Sequence, residues 1–544
     1  MVNVLPVLAP LFAAAVLAFR GRPRALAISA APWMPLLLLL PLASGGSGEL
    51  SFVLLDLRLG VDAVATPLIV LCAVAWGLAG WFAAGRVRRD RILFWSGWLV
   101  SLAGIALALL AQDLAGFYAG YATLSLASWL LIIHARSGEA WRAGRIYLIM
   151  ALLGEMAAFA GMMGIASQAG NVALAELAAA VNLDSGWRWL ILAGFGVKMG
   201  IVPLHLWLPL AHPVAPVPAS AILSGVIVKA GLLGWLRLVP PASEGAAALG
   251  PALLSLGIFT AFAGVLVGLT QRRVKVVLAY STISQMGLVL AAYAAMLMVP
   301  ETANVLLPWL GVMVLHHGLN KASLFLACGC APGRSTLRAV LVVLPALAIS
   351  AAPLTTGMLA KTGLKAAFHE AGLAEVWILV LSLSSTATAL LLWHFWRLVR
   401  TERGYKTAHP AWIAMTLAGL VVPWGWALWH GLDPHLLTGL WPSLWPLAIA
   451  AGLVWLKAGL APGWVPSLPA GDLVVWLERF VEAMGRQLAR LANASAGSLP
   501  NLYPVHVRMT RALLWTERKI TSLPVAGFLI LGLGGLLWLV TWST

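Results

Sequence analysis

Apolar runs dominate the chain, and its polar residues gather in the short intervals between them. Sixteen runs stand near 2–18, 25–43, 61–84, 92–111, 114–134, 146–167, 187–204, 218–236, 247–269, 276–299, 304–328, 336–372, 374–396, 411–430, 436–456 and 523–541. A helix needs about 17 to 25 such residues to cross a roughly 30 Å hydrocarbon layer. The pattern predicts an all-α polytopic membrane protein with about 14 to 16 transmembrane helices. The 336–372 run is too long for one straight span and is expected to be a helix broken around Pro353.

Two runs carry breaks and lysines together. LAGFGVKMGIVPLHLWLPLAHPVAPVPASAILSGVIVKAGLLGW, 192–235, places Lys198 mid-run, stops at Pro203, crosses a Pro/His/Trp-rich stretch that includes His205, and resumes with Lys229. SAAPLTTGMLAKTGLKAAF, 350–368, repeats the theme with Pro353 and Lys361.

Span parity organises the domains. Residues 1–91 hold three spans, with a short hairpin expected over 49–64; 92–240 and 247–397 each hold five, with a proline-interrupted fourth. Because five is odd, the two units start on opposite membrane faces and read as inverted repeats, the architecture that places ion sites at broken helices. Residues 404–457 add two spans, and 464–522 read as a lateral amphipathic helix and connector with Arg479, Glu482, Arg486 and Arg490 on one face. The last span is expected at 523–541. The first run lacks a charged leader and a small-residue cleavage site, and is read as a retained helix.

Composition sharpens this picture. Of 544 residues, 61% are hydrophobic and 10% charged, which excludes an ordinary soluble enzyme and a disordered chain. The net charge of +16 concentrates in alternate loops, around Arg20–Arg24, Arg86–Arg91, Arg136–Arg145, Arg272–Lys275, Arg334–Arg338 and Arg397–Lys406. The intervening loops carry Glu49, Asp56, Asp113, Glu176, Asp184, Glu244, Glu301, Glu370, Glu375 and Asp433. Basic loops stay cytoplasmic, so both termini are expected on the periplasmic side of a bacterial inner membrane. The charge is then a topology signal, and nucleic acid is not an expected partner. Cys72, Cys328 and Cys330 form no CxxC pair and read as small buried hydrophobes; neither a metal nor a cofactor is expected.

Ionisable residues in the middle of apolar runs are functional candidates, because each costs roughly 2.5–3.5 kcal/mol to insert. They are Glu155, Lys198, Lys229, His316, His317, Lys321 and Lys361. Five lysines at membrane depth, counting Lys365, face one acid, so they are not neutralised pairs. Desolvated lysine and histidine can each take and release a proton, and hydroxyls such as Ser281, Ser284 and Ser323 can pass it on. The structural alternatives are snorkelling for Lys229 and Lys361, an interfacial charge for Lys365, a purely structural role for one of the adjacent histidines, and a protonated interhelical carboxyl for Glu155. Asp62 reads as a charge at a helix start.

The stretch from Phe195 to Gly231 resembles the signature of the antiporter-like membrane subunits of respiratory complex I, and among them those of group 4 membrane hydrogenases of the hydrogenase 4 and formate hydrogenlyase type. QRRVKVVLAYSTISQMGLVL (271–290), HHGLNKASLFLACG (316–329) and the stretch around Lys361 agree with it. The resemblance implies two half-channels joined by a hydrated axis. Lys198 then matches the central lysine of the seventh helix, Lys229 the bridging lysine of the eighth, His316 or His317 the histidine of the eleventh, and Lys361 the terminal lysine of the broken twelfth. The family's fifth-helix glutamate is absent, since Ala122 stands in its place. Glu155, in the next run, is the candidate replacement as counter-charge to Lys198.

No iron–sulfur cysteine cluster, nucleotide loop or haem histidine pair is present, so no catalytic residue is assigned. The expected function is proton translocation within a redox-driven complex, with membrane and peripheral subunits, the lipid bilayer and protons as partners. The alternatives are a multi-subunit cation/proton antiporter, disfavoured by the scarcity of carboxylates, the membrane partner of an inorganic-carbon uptake complex, and an assembly subunit with a closed channel.

Overall fold

The computed structural model describes most of residues 2–458, with gaps at 46–47, 51–56, 170–172, 177–184, 331–334, 371, 403, 405–406, 435 and 437, and a few positions from 468 to 487. The chain divides into two units. One comprises Met1–Gly48 and Arg58–Gly471; the other, Glu49–Leu57 and Asp472–Thr544, lies mostly outside the described residues. The expected lateral helix falls almost wholly outside them, and the last span at 523–541 entirely so.

The first unit is helical, as hydrocarbon requires of a chain that must satisfy every backbone group internally. In chain order the helices are α1 Leu5–Val16, α2 Arg22–Ala30, α3 Leu39–Ser44, α4 Thr66–Arg86, α5 Arg91–Leu110, α6 Leu114–Ile132, α7 Gly138–Ala169 and α8 Ser185–Met199. They continue with α9 Trp207–Val214, α10 Val217–Ile222, α11 Lys229–Leu238, α12 Gly250–Leu269, α13 Val274–Met298, α14 Ala303–Ala327, α15 Thr336–Ile349, α16 Thr356–Glu370, α17 Glu375–Val399, α18 Pro410–Trp429 and α19 Leu440–Ala458. The expected hairpin is present as paired strands Gly48–Leu50 and Leu57–Leu59.

Among the described residues nine helices are long and apolar enough to cross a membrane, and a tenth span arises if Arg22–Ala30 and Met34–Ser44, bent by 56°, count as one. The protein is thus a multi-pass helical membrane protein. Its outward faces fit that solvent, with Ile149, Leu153, Met156, Phe259 and Leu266 exposed. The spans Val217–Leu238 and Val274–Met298 are instead buried along their whole apolar windows, so they and the buried α14 form the centre.

Small residues bring these helices together. A Cβ on Gly104 of α5 would lie 2.9 Å from Gly120 O of α6, and one on Gly257 of α12 would lie 2.7 Å from Gly287 O of α13. Close backbone approach of this kind is how helices pack where lipid offers no hydrophobic drive. Helices α7 and α8 cross in the same way: a Cβ on Gly154 would stand 3.0 Å from Gly194 O. That crossing sets the depth of Glu155, the next residue.

Both expected breaks are present. Helix α8 ends at Gly200, whose φ of 72° reverses the chain, and Val202–Pro203 is cis. Trp207 Nε1 closes the gap by donating to Val197 O at 2.7 Å. The second break separates α15 from α16 at residues 350–355, with Ala351 and Leu354 at φ 60° and 61° on either side of Pro353. A third irregularity has no proline behind it. Residues Leu223–Ile227 form a π-turn between α10 and α11, immediately before Lys229.

Candidate functional site

The seven titratable residues singled out at membrane depth are all buried, with relative exposures of 5% or less. Snorkelling is therefore excluded for Lys229 at 0% and Lys361 at 5%. Lys198 Nζ donates to the Ser125 hydroxyl on α6, reaches Tyr147 Oη at 3.5 Å, and stands 5.3 and 5.5 Å from the ring centres of Tyr121 and Tyr147. Two aromatic faces and two hydroxyls thus hold the ammonium group. The Ser125 hydroxyl itself donates to Tyr121 O at 3.1 Å, and the Glu155 carboxyl lies within electrostatic reach of Lys198, its Oε1 without a hydrogen bond.

Helix α8 packs against α11, where a Cβ on Gly231 would meet Met199 Cγ at 2.6 Å, and there a second cluster begins. The π-turn presents a backbone oxygen to the side chain that follows it: Lys229 Nζ donates to Ser224 O at 2.7 Å. The Ser224 hydroxyl bonds Thr282 Oγ1 at 2.7 Å, and Thr282 donates to Leu278 O at 3.0 Å. Lys321 Nζ of α14 donates to that same Leu278 oxygen at 3.2 Å. Two lysines from different helices are thereby linked through α13 by the carbonyls of Ser224 and Leu278 and the hydroxyls of Ser224 and Thr282.

The adjacent histidines divide in the way their positions on α14 demand. Neither nitrogen of His317 has a hydrogen bond, and the ring lies within electrostatic reach of Lys229 and Lys321. His316 turns the other way, with Nδ1 2.9 Å from Thr356 Oγ1, the first residue of α16. Asn320 braces it by donating to His316 O at 2.8 Å and to Gly419 O of α18 at 3.0 Å. Beyond Thr356, Lys361 Nζ donates to Ser384 at 3.1 Å and Ser385 at 2.9 Å on α17. Thr388 returns a hydrogen bond to Ser384 O and receives one from Gln285 Nε2 at 3.2 Å.

The break residues stand beside this row. His205 is buried and lies 6.2 Å from Tyr280, ring centre to ring centre. Pro203 and Pro353 lie in the two breaks themselves. Of the expected hydroxyls, Ser323 pairs with Thr416 at 2.6 Å, whereas Ser281 Oγ has no partner. Lys365, expected at an interface, is only 8% exposed.

Several members were not foreseen from the sequence. Ser125, Tyr147, Ser224 and Thr282 are ordinary residues for a helix interior, and only their neighbours give them a role. His212 was visible in the proline-rich stretch; it is fully buried, stacks on Phe325 at 4.5 Å, and neither nitrogen has a hydrogen bond. Asp62 does begin a helix, accepting from Ala65 N at 2.6 Å, but its second oxygen also pairs with buried Arg237 at 2.7 Å.

Together these features define a polytopic membrane protein whose interior carries a row of lysines and histidines between broken helices. Residues 111–390 match the family described as NADH:quinone oxidoreductase/Mrp antiporter, transmembrane, and the chain belongs to that family. It is 33% identical over 234 residues to hydrogenase-4 component B of Escherichia coli (strain K12), an alignment covering 41% of this chain and 35% of that protein. It is 30% identical over 387 residues to NADH-quinone oxidoreductase subunit N of Desulforudis audaxviator (strain MP104C), covering 65% of this chain and 74% of that one. The chain thus spans about a third of the hydrogenase-4 relative and three quarters of the other. In fold it resembles a chain of the Mrp complex from Dietzia sp. DQ12-45-1b, with TM-score 0.66 and 20% identity over 85% of this chain and 99% of that one.

Proposed function

We propose that the chain is the proton-translocating, antiporter-like membrane subunit of a redox-driven complex in a bacterial inner membrane, working with other membrane and peripheral subunits. One observation carries the reading: Lys198, Lys229, Lys321, His317, His316 and Lys361 are buried with Glu155 as the carboxylate among them, and hydroxyls and carbonyls hold the ammonium and imidazole groups and link Lys229 to Lys321. Groups that can each hold or release a proton serve a relay; a sodium path would call for more oxygen ligands and carboxylates.

In this reading Glu155 is the counter-charge to Lys198, in place of the acid missing at Ala122. Ser125, one helical turn past Ala122 on α6, is the hydroxyl that Lys198 engages. Proton transfer runs between the Lys198 cluster and Lys361 by way of Lys229, Lys321 and the histidines, and the breaks at Pro203, His205 and Pro353 let the two ends shift relative to one another.

The inverted repeats 92–240 and 247–397 and a total of 14 to 16 spans belong to this reading. In each repeat the first two helices pair through glycines, Gly104 with Gly120 and Gly257 with Gly287, which supports it. The basic loops gather at one end: Arg273 pairs with Glu139, and Arg86 Nη2 lies 3.4 Å from Thr407 O. That gathering supports a cytoplasmic face there and both termini on the other side.

The test is proton uptake by inverted membrane vesicles carrying the native complex, energised in turn with hydrogen, formate or NADH. Uptake that depends on this chain and falls about tenfold or more in Lys229→Gln is the expected result. Uptake that requires sodium would replace this reading with the exchanger, and the absence of chain-dependent uptake with every donor would remove it.

A further inference from the structure

The row of buried groups does not stop at Lys361. One turn further along α16, Lys365 lines an open cavity of about 670 Å³ bounded by α16, α17 and the segment Thr438–Trp445. Residues four apart on a helix lie on the same face, with Cβ atoms about 5–6 Å apart, so the two ammonium groups follow one another. The polar residues of α17 track them. Ser382 lines the cavity beside Lys365, and Ser384 and Ser385, within the next turn, hold Lys361. At the rim His369 and Glu375 approach to 3.7 Å, both largely exposed.

We propose that this cavity is an aqueous vestibule and that Lys365 exchanges protons between its water and Lys361; the proposal rests on the proton-transfer reading above. The charge in the wall argues for water over a lipid chain. Most of the lining is apolar, but Thr362, Lys365, His369, Glu375, Ser382 and Thr438 are polar, and a hydrocarbon occupant would leave the lysine charge without solvation. The titratable groups facing Lys365 are Lys361 and His369 on its own helix and Glu375 on α17, while Thr438–Trp445 contributes a hydroxyl and an indole to the lining. Two ammonium groups one turn apart repel one another when both are charged, so a proton arriving at one favours departure from the other. In each transfer one N–H bond of an ammonium breaks and one forms on water, on a bridging hydroxyl or on the neighbouring amine, with no net change elsewhere.

The test uses the native complex in vesicles. Ser382→Cys changes one atom in the cavity wall, and a charged, membrane-impermeant methanethiosulfonate is expected to modify position 382 within minutes, read by peptide mass spectrometry, with proton uptake falling several-fold on modification. Lys365→Gln is expected to lower uptake about tenfold. Lys365→Arg, which keeps the charge but does not release it, should fall likewise, and Lys365→His should restore part of the rate with its optimum moved to lower pH. Rescue by arginine would mean that the charge alone matters and would overturn the relay. Position 382 unreactive in the folded complex but reactive after denaturation would overturn the vestibule, as would full uptake in Lys365→Gln. If the wild-type vesicles take up no protons, the functional reading above fails, and labelling at 382 still decides whether the cavity holds water.

Discussion

Lys198 and Glu155 are carried on two helices that touch through Gly154 and Gly194, and Lys198 gives its hydrogen bond to the Ser125 hydroxyl while Glu155 Oε1 has none. The pairing is electrostatic and indirect. A direct ion pair would lock both charges, whereas a carboxyl acting through space lets small movements of α7 against α8 change how strongly each feels the other.

Glu155→Gln should therefore cut proton uptake by roughly tenfold while leaving the complex assembled, because the amide fills the same space without the charge. Vesicle uptake combined with native mass spectrometry measures both. Unchanged uptake would return Glu155 to a structural role.

Asp62 carries two loads: it caps the turn that leads into α4, accepting from Ala65 N, and it pairs with Arg237, which also donates to Ala108 O and Leu109 O and faces the Phe117 ring. Asp62→Asn can keep the cap but strips the counter-charge from a buried guanidinium. Breaking a buried pair costs about 3–5 kcal/mol, and the partial exposure of Asp62 places this one at the lower end. The thermal midpoint in detergent should drop clearly, and Asp62→Ala, which also loses the cap, should drop further by about 1 kcal/mol.

His409 begins α18 by accepting from Ala411 N through Nδ1 at 3.2 Å, which requires that nitrogen to be unprotonated. Burial, and then the Arg86 charge, hold its pKa below the ordinary histidine range. The sign follows. Above the unfolded pKa the ring is neutral in both states and the cap is intact; as pH falls below that value the unfolded chain takes up a proton first and stability declines. Melting temperature should fall between pH 7 and about 5 in the wild type. It should fall less in His409→Ser, whose cap does not titrate.

Much of the architecture could be read from apolar runs and from prolines. Run length marked the nine to ten apolar spans among the described residues, and Pro203 and Pro353 marked both breaks, because proline lacks the amide that a helix interior needs. The buried lysines were legible for the opposite reason, as charges where insertion is costly. What stayed hidden were relationships between helices. Arg237, near a helix end, looks like a loop charge until Asp62 and two carbonyls surround it. Ser125 and Thr282 gain meaning only from the lysines and hydroxyls that reach them. The π-turn at Leu223–Ile227 leaves no mark in hydropathy, whereas the bend after Ala30 carries Pro32 and Pro35, a proline signal that the single run 25–43 hid.

That π-turn has a rotational consequence. An α-helix advances about 100° per residue, so one extra residue taken into a wide turn re-aims everything downstream by about that angle. Straightened into regular α-helix, the same sequence would swing Lys229 about a quarter-turn around the axis. The turn works as a phase-shifter. Adding one residue within 223–227 should misdirect Lys229 as thoroughly as replacing it, whereas removing one, which turns the wide turn into regular α-helix, should leave Lys229 in place.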